Sequence, residues 1–369
     1  MIAYSLLFVA CAPHATPLEA AGDARPAADP RETLVTATQS KDPAIRSLAL
    51  SALVGADGAH PWATHAAQDE ASEVWESVVP ALLGSPSGTE VVLRWVETTP
   101  IDSPGLAITL WALGPAAGSR ASTLWPRPEE PWQQAPLAVA AARSGDVDAV
   151  AFLDRWLRTG DIPWDTVLFQ HVGHTGSPAL IPALLAAEQR SEPEVKASLA
   201  AARWALGDRS AEATLSRTLD VGDELQRVSL VETLLALDGA RPLLAHASRG
   251  TDDAARLASL SLDPDPDAFV AALAVGDDDV VEIAVDHLWV WSTRWGRRAQ
   301  RQICESALAG AESGTTRVRA AWVDWLTRCG KEGESALARL LGDESQRVRT
   351  VAAAAIIGSQ TPSQTAPPP

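Results

Sequence analysis

Histidines come in two close pairs, His60 and His65 in "HPWATH" and His171 and His174 in "HVGH", spacings at which zinc takes imidazole ligands. A four-ligand site also needs cysteines or carboxylates beside them; neither stretch supplies these, and HExxH is missing from the chain. Asp263, Asp265 and Asp267 alternate in "DPDPDAF" like the opening of a calcium loop. However, Ala268 stands where the sharp turn needs glycine and Ala274 where a bidentate glutamate belongs, so Asp267 suits helix capping better. No GxSxG, Walker A or GxGxxG motif and no nucleophile-base pair is present. The expectation is a protein with no metal, no cofactor and no catalytic residues.

Recognition chemistry is better represented. Trp289, Trp291 and Trp295 crowd "HLWVWSTRWGRR", followed by Arg297, Arg298 and Arg301, and Trp322 and Trp325 stand in "AAWVDWL". Residues two apart on a helix point to different faces, so Trp289 and Trp291 cannot enter one groove together. Most of the rings are expected in the core. An exposed indole beside arginines has the composition of an interaction hot spot, which makes Trp289, Trp291, Trp295, Arg297, Arg298 and Arg301 the candidate partner-binding set.

Cys304 and Cys329 raise the question of a disulfide. If 297–311 and 315–329 form a helical hairpin with residue 304 opposite about residue 322, Cys329 lies seven residues, roughly 10 Å, further along the axis. That exceeds the ~7 Å span of a disulfide, so two buried thiols are expected.

These residues sit on a repeating frame. "DPAIRSLALSAL" (42–53), "EPEVKASLAAARWAL" (192–206), "DELQRVSLVETLLAL" (223–237), "DDDVVEIAVDHLW" (277–289), "TTRVRAAWVDWL" (315–326) and "DESQRVRTVAAAAIIG" (343–358) each open with an N-capping residue and continue with apolar residues at helical spacing. Val195, Val228, Val280, Val318 and Val348 are 33, 52, 38 and 30 residues apart, with "DDAARLASLSL" (252–262) filling the wide gap. Second helices such as "SPALIPALLAAEQR" (177–190) and "GESALARLLG" (333–342) lie between them. Alternating helices at such a period imply stacked pairs that bury one another's apolar faces. Asp42, Arg46, Glu192, Lys196, Asp223, Arg227, Asp343 and Arg347 suggest a spine in which a capping carboxylate is reached by a neighbour's base.

The D-x-x-V-R spacing, carried by Asp42/Ile45/Arg46, Glu192/Val195/Lys196, Val318/Arg319 and Val348/Arg349, resembles HEAT repeats of the short kind also found in phycobilisome-lyase subunits. The resemblance covers 31–55 and 177–358 and implies an all-α fold, an α-solenoid of stacked antiparallel helix pairs. Residues 60–176 read as divergent repeats of the same body, or as a separate helical subdomain, with "WPRPEEPW" (125–132) as an extended loop. Residues 359–369 read as a disordered tail.

The amino terminus carries a different signal. "IAYSLLFVA" (2–10) is a short apolar run ending in a small residue before Cys11, which resembles a bacterial lipoprotein signal peptide whose lipidated cysteine is Cys11. Residues 11–30, rich in Ala and Pro, read as a tether, so the body begins near residue 31 and faces the periplasm or cell exterior, held at the membrane by its lipid. The net charge of −17 repels phosphate backbones and excludes nucleic acid as the natural partner.

The functional expectation is an extracytoplasmic, lipid-anchored, non-catalytic scaffold whose concave face, built from the second helices, binds a protein bearing a basic patch. An enzyme-accessory or bilin-lyase-like role is the alternative that the HEAT resemblance implies.

Overall fold

The computed structural model describes residues 29–57, 60–159, 166–262 and 297–360, together with residues 269, 281, 283–285 and 288. Among these residues the protein is all-helical, with three short 3-10 turns and no strand. One row of helices carries the capped repeat pattern or its divergent counterpart: α2 (Pro43–Asp57), α4 (Ser72–Leu83), α6 (Pro104–Leu113), α8 (Pro131–Arg143), α10 (Thr166–Gly173), α12 (Pro193–Ala205), α14 (Glu224–Leu235), α16 (Asp253–Leu262), α18 (Thr316–Leu326) and α20 (Gln346–Gln360). The other row alternates with it: α1 (Pro30–Ala37), α3 (His60–Ala67), α5 (Pro86–Thr98), α7 (Gly118–Leu124), α9 (Val147–Thr159), α11 (Ile181–Arg190), α13 (Glu212–Val221), α15 (Arg241–Ala247), α17 (Arg297–Ser313) and α19 (Gly330–Leu340).

Local chemistry explains where these helices begin. Pro30, Pro43, Pro86, Pro104, Pro131 and Pro193 each take the first helical position, where a missing N–H costs nothing and a fixed φ helps. Asp29 caps α1 by accepting from the Arg31 amide at 2.8 Å, and Asp223 with Gln226 forms a capping box on α14. The loop expected at 125–132 ends two residues early, because Pro131 and Trp132 open α8. Of the tail expected at 359–369, Ser359 and Gln360 instead belong to α20, with the Ser359 hydroxyl donating to the Ile356 carbonyl at 2.7 Å. Residues 361–369 lie outside the described residues.

The even helices form the continuous row. α2 touches α4, α4 touches α6, and the relation repeats through α8, α10, α12 and α14 to α16, and again between α18 and α20. Small residues permit this approach: Ala138 to Ala142 are all buried in α8, and a Cβ on Gly173 of α10 would lie 2.9 Å from Ala202 Cα of α12. Within the odd row only α3–α5, α9–α11, α13–α15 and α17–α19 make more than marginal contact. The divergent stretch 60–176 follows the same alternation, and its core runs on from Val54 to Val195 and Leu206 without a break.

The two ends of the described chain meet. α1 and α2 pack on α20, so that Leu34, Ala37, Ile45 and Ala49 share one apolar core with Val348, Ala352 and Ala353. The Ser40 hydroxyl donates to Gln346 Oε1 at 3.2 Å beside this contact.

The expected spine is present in part: Asp223 caps α14 and Asp343 takes an arginine, but Arg46 and Arg227 reach Asp69 and Asp252, which the sequence reading did not name, and Glu192 makes no side-chain cap bond to α12. Asp69, in the turn ahead of α4, accepts from the Ala71 amide at 2.9 Å and takes both Nε and Nη2 of Arg46 at 2.7 Å, while Arg46 Nη1 holds the Ser40 and Lys41 carbonyls. Asp343 accepts from the Ser345 amide at 2.8 Å and from Arg319 at 2.9 and 3.0 Å, and Arg319 Nη1 holds the Gly314 carbonyl. Asp252 caps α16 at Ala255 and pairs with Arg227 at 2.5 Å. In each case a base in the first turn of one even helix reaches a carboxylate in the turn that leads into the next, which adds charge-assisted bonds between neighbours. In α12 the brace is different: buried Arg203 takes Glu188 of α11 at 2.5 Å and Asp208 at 2.6 Å.

Cys304 and Cys329 correct the sequence reading. They are joined in a disulfide with Cα atoms 5.5 Å apart. The error lay in the register of α17 against α18. Gly310, not residue 304, faces Trp322: a Cβ there would lie 2.5 Å from the indole. In that register residue 304 falls opposite about residue 328 rather than 322. The chain then turns after α18, with the Cys329 amide bonded to the Leu326 carbonyl at 3.1 Å, instead of extending along the axis.

Candidate functional site

The residues singled out for recognition are only partly placed. Trp289, Trp291 and Trp295 lie outside the described residues, as do Cys11 and the calcium-like "DPDPDA" stretch. Arg297 opens α17, and Arg298 and Arg301 are exposed in its first two turns. Trp322 and Trp325 are buried in the core, as expected for most of the rings.

The second histidine pair lies among an indole and a guanidinium. His171 lies against the Trp111 ring at 4.1 Å, and Arg143 covers the same indole at 4.2 Å while its Nη1 donates to the Trp111 carbonyl at 2.7 Å. Burial pushes the His174 imidazole below its usual value, and the Arg143 charge adds to this. Among the described residues no three His, Cys, Asp or Glu side chains converge as a metal site would require.

Two adjoining clefts lie elsewhere, where the turns before α2, α4 and α6 come together. A cleft of about 320 Å³ is lined by Glu70, Glu73, Trp75, Trp95, Ser103 and Gly105. A second cleft of about 430 Å³, with Gln39, Arg46, His65 and Gln68 on its walls, adjoins it and shares Asp69 and Glu70. The two openings flank one turn of chain.

Three elements place the side chains of the first cleft. On α4, Glu73 and Glu76 stand one turn apart, and Glu70 precedes them in the turn. Glu70 is exposed, Glu73 half-buried and Glu76 buried, so carboxyls run from the rim inward. Helix α5 contributes Trp95, whose ring stacks on Trp75 with centroids 4.5 Å apart and planes inclined by 26°. The Trp75 indole is anchored from α6: Nε1 donates to Thr109 Oγ1 at 3.0 Å, and that hydroxyl donates to the Gly105 carbonyl at 2.7 Å. Gly105 leaves the wall open, since a Cβ there would stand 3.4 Å from Trp75 Cδ1 and 3.6 Å from Glu76 Oε1.

The electrostatics of this corner are unbalanced. Arg46 is committed to Asp69, whose carboxyl it holds below the usual range through the paired hydrogen bonds. Glu70, Glu73 and Glu76 form no ion pair among the described residues. Burial pushes the Glu76 carboxyl up; a hydrogen bond from Ser72 opposes this and the neighbouring Glu73 charge reinforces it.

Large apolar side chains are also exposed. Trp132 is 61% accessible and Leu225 72% accessible, each at the second residue of an even helix, and Val221 is exposed just ahead of α14. The sequence carried a signal for the carboxylate row in the three-residue spacing of "EASEVWE" (70–76), but nothing linked it to Trp95 nineteen positions beyond Glu76. No protein-family model matches the chain, and no curated protein matches it either.

Proposed function

We propose that the protein is a non-catalytic docking scaffold of HEAT-like repeats, lipid-anchored through Cys11 and facing the periplasm or cell exterior. The observation that carries docking is Trp132: an indole 61% exposed in the first turn of an even helix, on a chain of net charge −17. Indoles placed in this way are the residue type that dominates binding energy in interfaces, and the negative field selects a partner with a basic patch.

A solenoid arrangement is supported by the spine. Each inter-helix pair joins the first turn of one even helix to the turn that leads into the next, as Arg46 does with Asp69, Arg227 with Asp252 and Arg319 with Asp343. Neighbouring even helices must then run parallel, which brings their first turns, and with them Trp132 and Leu225, toward one edge. The inside of a curved stack is the more crowded side, so the concave face belongs to the even helices and not to the second helices of each pair as the sequence suggested.

The exported location draws on the disulfide as well as on the signal-like start. A Cys304–Cys329 bond persists in an oxidising compartment and is rare in the reducing cytosol. Mass spectrometry of the mature protein tests this directly, with an acylated N-terminal Cys11 expected and an unprocessed Met1 refuting it.

Docking is tested by placing a photo-crosslinking amino acid at Trp132, at Leu225 and, as a control, at exposed Arg217 on α13. The expected result is one common adduct from 132 and 225, lost at high salt and absent from 217. No adduct at 132, or the same adducts at all three positions, overturns the reading.

A further inference from the structure

We propose that the cleft between α4, α5 and α6 receives an arginine or lysine side chain of the docked protein, with the cation lying on the Trp95–Trp75 stack and paired to Glu73 and Glu70. This deepens the docking reading and rests on it.

Four observations converge on that ligand. The cleft of about 320 Å³ is large enough for one long side chain and lies open at the surface. Its aromatic wall is held from behind by the Trp75–Thr109–Gly105 hydrogen bonds, so the indole faces are preorganised for a cation. Its carboxylates form no salt bridge among the described residues: Arg46 feels the Glu70 and Glu73 charges at a distance, but its hydrogen bonds go to Asp69 and to two backbone carbonyls. Finally, the Glu76 carboxyl is buried beside Gly105, which lines the cleft, and a cation seated there would favour its charged form.

Other ligand classes fit poorly. An anion would meet Glu70 and Glu73 at the entrance, and an apolar group would strand them. A divalent metal needs three or more convergent ligands, and these carboxylates are not so grouped. The dipole of α4 opposes a cation at its first turn, but that effect is small beside a carboxylate and an indole face. The adjoining cleft, which shares Asp69 and Glu70, gives the rest of a polypeptide somewhere to run, and this favours a partner's side chain over a free amine.

The probe is a short peptide, acetyl-Gly-Arg-Gly-amide, titrated calorimetrically into the full chain beside its citrulline analogue, which keeps the shape and removes the charge. The arginine peptide is expected to bind about tenfold or more tightly than the citrulline one. Glu73→Gln and Trp95→Leu should each weaken it about threefold or more, while Glu334→Gln, an exposed carboxylate on α19, should leave it unchanged. Unchanged thermal melts establish that the variants are folded; because Glu73 is at the surface, Glu73→Gln stands even if Trp95→Leu does not fold. Equal binding of the two peptides, no binding of either, or equal weakening by Glu334→Gln overturns the proposal. Crosslinks from Trp132 obtained with a chain that fails to bind the arginine peptide would leave the docking reading standing while this cleft falls.

Discussion

The Ser40 hydroxyl lies 3.2 Å from Gln346 Oε1, across 306 positions of the chain. Around this bond the first two helices cover the last, so the apolar faces that a linear stack would leave open at each end close on each other. Stability should therefore be shared between the termini.

Leu34→Ala tests that sharing. Leu34 has no accessible surface and sits in the core that contains Val348 and Ala352. Its truncation should cost about 3 kcal/mol. Hydrogen exchange should show faster opening of α20, not of α1 alone. Protection changes confined to α1 would mean that the ends are not coupled.

Arg46→Ala removes the brace between α2 and α4 and strands a largely buried Asp69, which should cost about 3 kcal/mol in denaturant unfolding. The pH dependence follows. Because the folded Asp69 carboxyl lies below its ordinary 3.8, it contributes stability above that value, lost as pH falls through the folded value. Arg46→Ala should lose that component of the acid slope; an unchanged slope would remove Arg46 as its cause.

The disulfide closes a loop with a sequence separation of 25, for which loop entropy gives about 3.5 kcal/mol. Reduction, or Cys304→Ser, should lower the melting temperature accordingly, and intact mass under non-reducing conditions should be about two hydrogens short of the dithiol. A full-mass dithiol in material purified from its native compartment would contradict the bond.

Glu76→Gln is expected to stabilise. A carboxyl whose folded value is raised above 4.5 binds more protons in the native state than in the unfolded chain, so stability falls as pH rises from there through the folded value. The variant should melt above wild type at neutral pH and coincide with it below 4.5. Coincidence at both would show that Glu76 carries no burial penalty.

From sequence alone, the capping acids, the helix-opening prolines and the apolar spacing determined that this chain alternates helices. The base four residues after Asp42 and Asp223 indicated a spine of capped carboxylates. Those are local signals, set by neighbours a few residues apart. Which residues meet between helices was settled in three dimensions. A shift of a turn and a half between α17 and α18 turned two thiols into a disulfide. Likewise, Trp75 and Trp95 became one surface only because α4 and α5 cross there. The meeting of α1 with α20 joins segments some 300 positions apart, a relation that no single stretch of sequence carries.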